Sequence, residues 1–238
     1  DSEIRMLSKL ESKPYVDLTI ACLRHFGIAV QETEQGYAVA GGQQYHACDL
    51  TVEGDYSQAA FFCVANALGS DITLTNLNPE SVQGDKKIVE IVREMCYNRE
   101  QGLPAGFTVD AADIPDLVPI LAVLATFGTA PSSITGAHRL AIKESDRLAS
   151  TADLLNRLGG KVTATPDGLE IEPVEHLHGG TVDSCGDHRI AMCAAVAATR
   201  CAGEVTILHG ECVEKSYPRF YEDYRQLGGI ANVIVLES

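Results

Sequence analysis

A unit of helix, strand, helix and strand returns three times along this chain, and a repeat of that kind admits few architectures. Apolar residues at i, i+3 and i+4 predict helices over 57–69, 86–97, 117–127, 145–158, 188–201 and 217–227. Between them fall short β-branched runs at Ile72–Thr75, Ser133–Thr135, Lys161–Ala164, Leu169–Ile171, Val205–Leu208 and Ala231–Val235. The first helix of each unit follows an aspartate, at Asp55, Asp116 and Asp187, and aspartate is a good N-cap because its carboxylate accepts otherwise unpaired backbone N–H groups. The second helices start near Gly84–Lys87, Lys143–Arg147 and Lys215–Arg219, at comparable intervals.

Residues 1–52 read as the tail of a fourth unit: a short helix over 2–10, a turn at Ser12–Tyr15, a helix over 16–26, then strands near 28–32 and 36–40, with Gly41–Gln44 as a loop. A domain boundary is placed there, giving 1–52 and 53–238. The expected class is α/β, with helices packed on sheets by their apolar faces. At 238 residues the chain can bury a large core. It starts with Asp1 rather than Met, and this reads as a piece of a longer protein.

The formal charge of −15 disfavours nucleic acid and anionic membranes as partners. No apolar run reaches the roughly 20 residues that span a bilayer, and the charged N-terminus is unlike a signal peptide. The eight cysteines show no zinc-type spacing and read as reduced core thiols of a cytoplasmic protein, with no metal expected.

An acidic chain can still hold small anions where its few cations are gathered. A helix N-terminus exposes unpaired N–H groups, so a nearby Lys or Arg completes an anion site. Three segments qualify: His138–Arg147, with Lys143 before the helix and Arg147 one turn inside it; Gly186–Arg189, where His188 and Arg189 open an apolar helix; and Glu214–Phe220, with Lys215 before a helix carrying Pro218 in its first turn. Read from the residues alone, the first is equally a solvated helix start with paired charges. Asp116 is equally an N-cap or a general base facing the same pocket.

At these motifs the sequence resembles the 3-phosphoshikimate 1-carboxyvinyltransferase (enolpyruvylshikimate-phosphate synthase) family. The matching stretches are Glu11–Asp17, Val52–Asp55, Ile114–Asp116, Lys143–Arg147, Gly186–Met192 and Lys215–Pro218, in family order. The resemblance implies two domains, each of three βαβαββ units in an inside-out α/β barrel, of which this chain holds three near-complete units and the tail of a fourth. It implies transfer of the enolpyruvyl group of phosphoenolpyruvate to the 5-hydroxyl of shikimate 3-phosphate, with release of phosphate and without metal or organic cofactor.

Carried over by motif, Asp116 resembles the base at the 5-hydroxyl, and Lys143 a contact to shikimate phosphate or that hydroxyl. Arg147, Arg189 and Lys215 resemble the phosphoenolpyruvate clamp, with Lys215 also a proton donor. Glu144 and His188 resemble the acid and its neighbour at the methylene carbon. Ser12 and Tyr15 resemble residues holding the 3-phosphate from the other domain. Arg139 stands where some members carry an asparagine, and is assigned a further phosphate contact. The family is nearly twice this length, so the expected partner is an N-terminal half with further ligands, and this chain alone is expected to be inactive. Two other readings share parts of the pattern: the sister transferase that uses UDP-N-acetylglucosamine, and a non-catalytic repeat domain.

Overall fold

The computed structural model describes residues 1–234. The N-terminal segment forms β1 (Ser2–Arg5), α1 (Lys13–His25), β2 (Gln31–Thr33) and β3 (Gly36–Val39), with both outer strands antiparallel to β3. The helix expected over 2–10 is therefore wrong. Ser2–Arg5 pairs with Val39–Gly36 instead, because a free sheet edge offers every backbone group a partner and overrides a weak local helix preference. α1 starts earlier than expected, at Lys13, with Pro14 in its first turn where no N–H is needed.

Next come α2 (Tyr56–Ala67), capped by the Asp55 carboxylate on the Ser57 N–H at 2.8 Å, and α3 (Lys87–Glu100), entered through a 3₁₀ turn at Gly84–Lys86. β4 (Thr108–Asp110), α4 (Val118–Thr126), β5 (Ser132–Thr135), α5 (Arg147–Arg157), β6 (Lys161–Thr165) and β7 (Gly168–Glu172) make one complete βαβαββ unit. Its sheet order is β4-β5-β7-β6, with β4 parallel to β5 and the other pairs antiparallel. The order β5-β7-β6 repeats β1-β3-β2, so the N-terminal segment has the topology of the second half of a unit. Finally β8 (Gly180–Asp183) and β9 (Val205–Leu208) pair in parallel around α6 (His188–Ala198), followed by α7 (Phe220–Gln226).

The strand expected at Ile72–Thr75 does not form. Its neighbourhood touches residues 52–54 through Gly54 N–H to Asn76 O at 2.7 Å and Asn76 Nδ2 to Val52 O at 3.2 Å. In the complete unit the equivalent strand β5 gains a second ladder from the hairpin β6–β7. After α3, by contrast, residues 101–107 run directly into β4, so no hairpin covers Ile72–Thr75. Residues 231–234 likewise form no strand, and Val235, the last of that expected run, lies outside the described residues. β1, β4 and β8 were not anticipated. Each has three or four residues, and β4 and β8 bury a single apolar side chain each, Val109 and Val182, too little for a period-2 signal.

The core is built from the first helices. Every residue of α4 is buried, as is α6 from His188 to Ala197, and α2, α4 and α6 pack against one another. A helix apolar on all sides needs partners on all sides, so these three sit inside while the sheets lie outside. Each buried Leu, Ile, Val or Phe adds about 1.5–3 kcal/mol. The cysteines are less buried than expected: Cys193 is in the core, but Cys22, Cys48 and Cys185 are exposed, because α1 buries no residue and Cys185 sits in a turn.

A further repeat lies in the helix exits. Asn66 and Asn156 each clasp the residue six positions on, accepting its N–H and donating to its C=O at 2.8 Å, for Ile72 and Val162 respectively. Both helices then close at a left-handed glycine, Gly69 and Gly159, and the residue after each, Ser70 and Gly160, donates its N–H five residues back to Ala65 O and Leu155 O. Asn156→Ala is expected to lower stability by about 1–3 kcal/mol. The denaturation midpoint measures it, and Asn66→Ala should cost less because Ile72 belongs to no ladder.

Candidate active site

Arg147 is the hub of a charge network at the mouth of the core. It is the first residue of α5 and only 1% exposed. Its Nε donates to Asp187 Oδ2 at 2.8 Å, Nη1 to Asp116 Oδ1 at 2.9 Å and Nη2 to Glu144 Oε2 at 2.6 Å. Asp187 is fully buried, caps α6 through the Arg189 N–H at 2.9 Å, and also receives the Ser145 hydroxyl at 3.1 Å. Asp116 Oδ2 accepts Arg189 Nη2 at 2.7 Å, and Lys143 Nζ stands 3.9 Å from Oδ1. Glu144 Oε1 accepts the Lys215 ammonium and lies 3.9 Å from His188 Nε2, while His188 Nδ1 contacts the Ser216 hydroxyl.

Two expectations of local geometry change. Asp116 does not cap α4. It sits in the 3₁₀ turn Pro115–Leu117, and side chains rather than backbone N–H groups claim its carboxylate. Lys215 ends a 3₁₀ turn (Gly210–Lys215), and α7 starts only at Phe220, so neither Lys215 nor Pro218 lies at a helix start. The convergence is thus made by two helix N-termini and a turn. Four cations (Lys143, Arg147, Arg189, Lys215) meet three carboxylates (Asp116, Glu144, Asp187), leaving a local excess of one positive charge in a chain of net charge −15.

Arg189 carries the most telling feature. It is 6% exposed, and its Nε and Nη1 are buried with no hydrogen-bond partner. Buried donors are rarely left unmade, and each costs about 1–3 kcal/mol when they are. Each of these N–H groups can donate a charge-assisted hydrogen bond to an oxygen of a carboxylate or phosphate.

The segment before α1 borders the same region. The Ser12 N–H bonds Ala112 O at 3.0 Å, the Lys13 N–H bonds Asp113 Oδ1 at 3.1 Å, and the Tyr15 hydroxyl donates to Asp85 Oδ2 at 3.0 Å. A shallow cleft between Glu11, Ser12, Ala112, Arg139 and Lys143 adjoins Asp116. Arg139 is half exposed there, 3.5 Å from Glu11 Oε2.

The model of the EPSP synthase (3-phosphoshikimate 1-carboxyvinyltransferase) family matches residues 1–224. The chain belongs to this family. Relatives named 3-phosphoshikimate 1-carboxyvinyltransferase include that of Clostridium acetobutylicum, 44% identical over 237 residues, covering 96% of this chain and 55% of the relative. That of Clostridium perfringens is 43% identical over 241 residues, covering 97% and 57%. The EPSP synthase structure of Acinetobacter baumannii aligns with a TM-score of 0.73 at 27% identity, covering 86% of this chain and 53% of that one. The enolpyruvyl transferase NikO of Streptomyces tendae, at TM-score 0.64 and 19% identity over 93% and 54%, shares the fold. The chain spans about half the length of the curated relatives it matches.

Within this EPSP synthase family chain, the residues singled out by motif fall into one connected region. Asp116, Lys143, Glu144, Arg147, His188, Arg189 and Lys215 form the network, with Ser12 and Arg139 along the adjoining cleft and Tyr15 beside Asp85. Asp187, Ser216, Asp85 and Ser57 were not singled out for the site. Asp187 lies within the Gly186–Met192 motif, where its position marks it only as a cap, and a buried carboxylate such as Asp85 leaves no periodic signal. Glu144, Asp187 and His188 place donor atoms within 4.8 Å of one another, yet Arg147 and Lys215 already supply the positive charge at that point.

The electrostatics follow from the pairing. Burial alone would raise the Asp116 carboxyl, but Arg189, Arg147 and Lys143 outweigh it and hold it below the usual range. Burial and the neighbouring Arg189 push His188 down, toward the neutral ring. Glu144 also feels some burial, but the bonds from Lys215 and its own backbone N–H, with Arg147 nearby, lower it to about 2. A carboxyl lowered on folding stabilises above its unfolded value and loses that contribution as pH falls through the folded one. Between the ordinary value of 4.5 and about 2, wild-type stability should therefore drop more steeply than that of Glu144→Gln, as read by urea midpoints across that range.

Proposed function

We propose that this chain is the C-terminal part of a cytoplasmic enzyme that transfers the enolpyruvyl group of phosphoenolpyruvate to the 5-hydroxyl of shikimate 3-phosphate. Residues 1–52 are the last part of the shikimate 3-phosphate-binding domain, and 53–238 the repeat domain that it closes upon. The observation that supports this best is Arg189, whose buried Nε and Nη1 have no partner while Nη2 holds Asp116. One side chain thus links an anion site to a base. Among the described residues no helix is long and apolar enough to cross a membrane.

In the reaction the 5-hydroxyl loses its proton to Asp116 and its oxygen bonds C2 of phosphoenolpyruvate, while the methylene C3 takes a proton from the Lys215–Glu144 pair. The tetrahedral adduct then returns a proton from the new methyl group to the Lys215–Glu144 pair and expels phosphate, restoring the vinyl double bond. Asp116 held well below pH 7 is a weak base. An arriving anion that occupies Arg189 weakens that hold and lifts the Asp116 carboxyl toward the working pH. Arg147 has each of its nitrogens engaged and in this structure orients Asp116, Glu144 and Asp187. Lys143 and Arg139, on the cleft, are positioned for the phosphate of shikimate 3-phosphate, beside Ser12.

Phosphate release from phosphoenolpyruvate and shikimate 3-phosphate tests the reading. The 238-residue chain alone should show no turnover, and the chain mixed with the N-terminal half of the Clostridium acetobutylicum relative should turn over only when both substrates are present. Turnover with UDP-N-acetylglucosamine as acceptor, or by the chain alone, would overturn it.

A further inference from the structure

Asp85 is a buried carboxylate to which the chemistry above assigns no part. It is 2% exposed, and its partners are hydroxyls rather than cations. Oδ2 accepts the Tyr15 hydroxyl at 3.0 Å and the Ser57 hydroxyl as well, whereas Oδ1 is buried without any partner. The first turns of α1 and α2 and the turn leading into α3 meet at this one group, which fastens residues 1–52 to the repeat units.

The direction of these bonds has a chemical consequence. A tyrosine hydroxyl has one hydrogen, and an ionised carboxylate only accepts. The Tyr15 hydrogen is therefore committed to Asp85, and its oxygen meets any ligand as an acceptor. A phosphate dianion offers no hydrogen to that oxygen, while the hydroxyl of a sugar-like ring does.

We propose that Asp85 is a positioning residue for shikimate 3-phosphate: by taking the Tyr15 hydrogen it aims the phenol oxygen at a ring hydroxyl of the ligand rather than at its phosphate. The proposal rests on the functional reading above and alters the part expected of Tyr15. Charged and titratable groups facing Asp85 are Tyr15 from α1, Asp116 from the turn before α4 and Arg189 from α6, with the neutral Ser57 from α2. Burial pushes the Asp85 carboxyl up to about 6, with Ser57 opposing and Asp116 adding to the rise. Because Oδ1 has no hydrogen-bond partner, the proton that binds goes to Oδ2, where it donates to the Tyr15 oxygen; that frees the Tyr15 hydrogen and undoes the orientation as pH falls through that value.

Calorimetric titration of the 238-residue chain, mixed with the N-terminal half of the Clostridium acetobutylicum relative, with shikimate 3-phosphate from pH 5 to 8 tests this, using wild type, Asp85→Asn and Tyr15→Phe. Asparagine keeps an acceptor oxygen for Tyr15 and cannot be protonated. At pH 7.5 wild type and Asp85→Asn should bind alike, and Tyr15→Phe about five- to tenfold more weakly. Toward pH 5 wild type should fall to the level of Tyr15→Phe while Asp85→Asn does not. The ligand phosphate titrates in the same range for all three proteins, so the ratio of wild type to Asp85→Asn isolates Asp85. A ratio that stays at one across the range, or an equal loss of inorganic phosphate binding in Tyr15→Phe, overturns the proposal.

A measurement without ligand separates this from the functional reading. The Tyr15 hydroxyl proton, identified in NMR spectra by its loss in Tyr15→Phe, should shift with a midpoint near about 6 in wild type and not in Asp85→Asn. If that signal titrates but the wild-type chain mixed with the N-terminal half of the Clostridium acetobutylicum relative binds no shikimate 3-phosphate, the functional reading fails. If it does not titrate, the role of Asp85 fails.

Discussion

Arg147→Met is expected to destabilise the folded chain by about 3–5 kcal/mol near neutral pH, more than any other single change at the site, because removing one partner of a buried ion pair strands the others. Methionine roughly conserves the bulk, so the loss reflects charge rather than a cavity. The stranded group is Asp187, with no exposure, whereas Asp116 keeps Arg189 and Lys143 and Glu144 keeps Lys215. Without Arg147 a carboxylate is left buried and unpaired, a cost that protonation relieves. Acids raised on folding stabilise below the unfolded value, around 4, and lose that contribution as pH rises. The variant should thus recover relative to wild type as pH falls toward 4, where wild type still keeps most of the contributions of Asp116 and Glu144. Urea denaturation of both proteins at pH 7.5 and pH 4.5 reads this. A penalty that is the same at both pH values would mean that packing rather than charge is what Arg147 supplies.

Asp116→Asn should have the largest effect on turnover, about 10²–10⁴-fold in kcat for loss of a positioned base, in the enzyme assembled from this chain and the N-terminal half of a relative. The same substitution removes the carboxylate that competes with an incoming anion for Arg189. Phosphoenolpyruvate should accordingly bind the variant at least as tightly as it binds wild type. A fall in kcat with unchanged or tighter binding supports a base held in reserve by arginines. Parallel loss of both would assign Asp116 to holding the site together.

The repeat was legible because its strongest signals sit in the core. α4 and α6 are apolar on every side, and Asp55 and Asp187 cap their helices as their position suggested. Strands were harder. Ile72–Thr75 has the right pattern and no ladder, whereas Ser2–Arg5 has little pattern and a ladder waiting for it on β3. A strand is fixed by its partner, and the partner is not in the local sequence. The site was legible through Lys143–Arg147 and Gly186–Arg189, but motif residues carry no information on saturation. That Arg147 is fully engaged while Arg189 keeps two donors free depends on where Asp116 and Asp187 fall in space. Asp85 was invisible for the same reason, since its partners lie 28 and 70 residues away.

The direct run from α3 into β4 leaves residues 72–75 with an unshared edge, in a protein whose complete unit closes its own with the hairpin β6–β7. Backbone amides there should trade their hydrogens for solvent deuterium through small local openings, long before the helices beneath them do. The same edge offers a misfolded or neighbouring chain a template for pairing. Asp71 and Glu80 flank it with negative charge, so this stretch tolerates exposure best at low salt and neutral pH, where that charge repels a second copy most strongly.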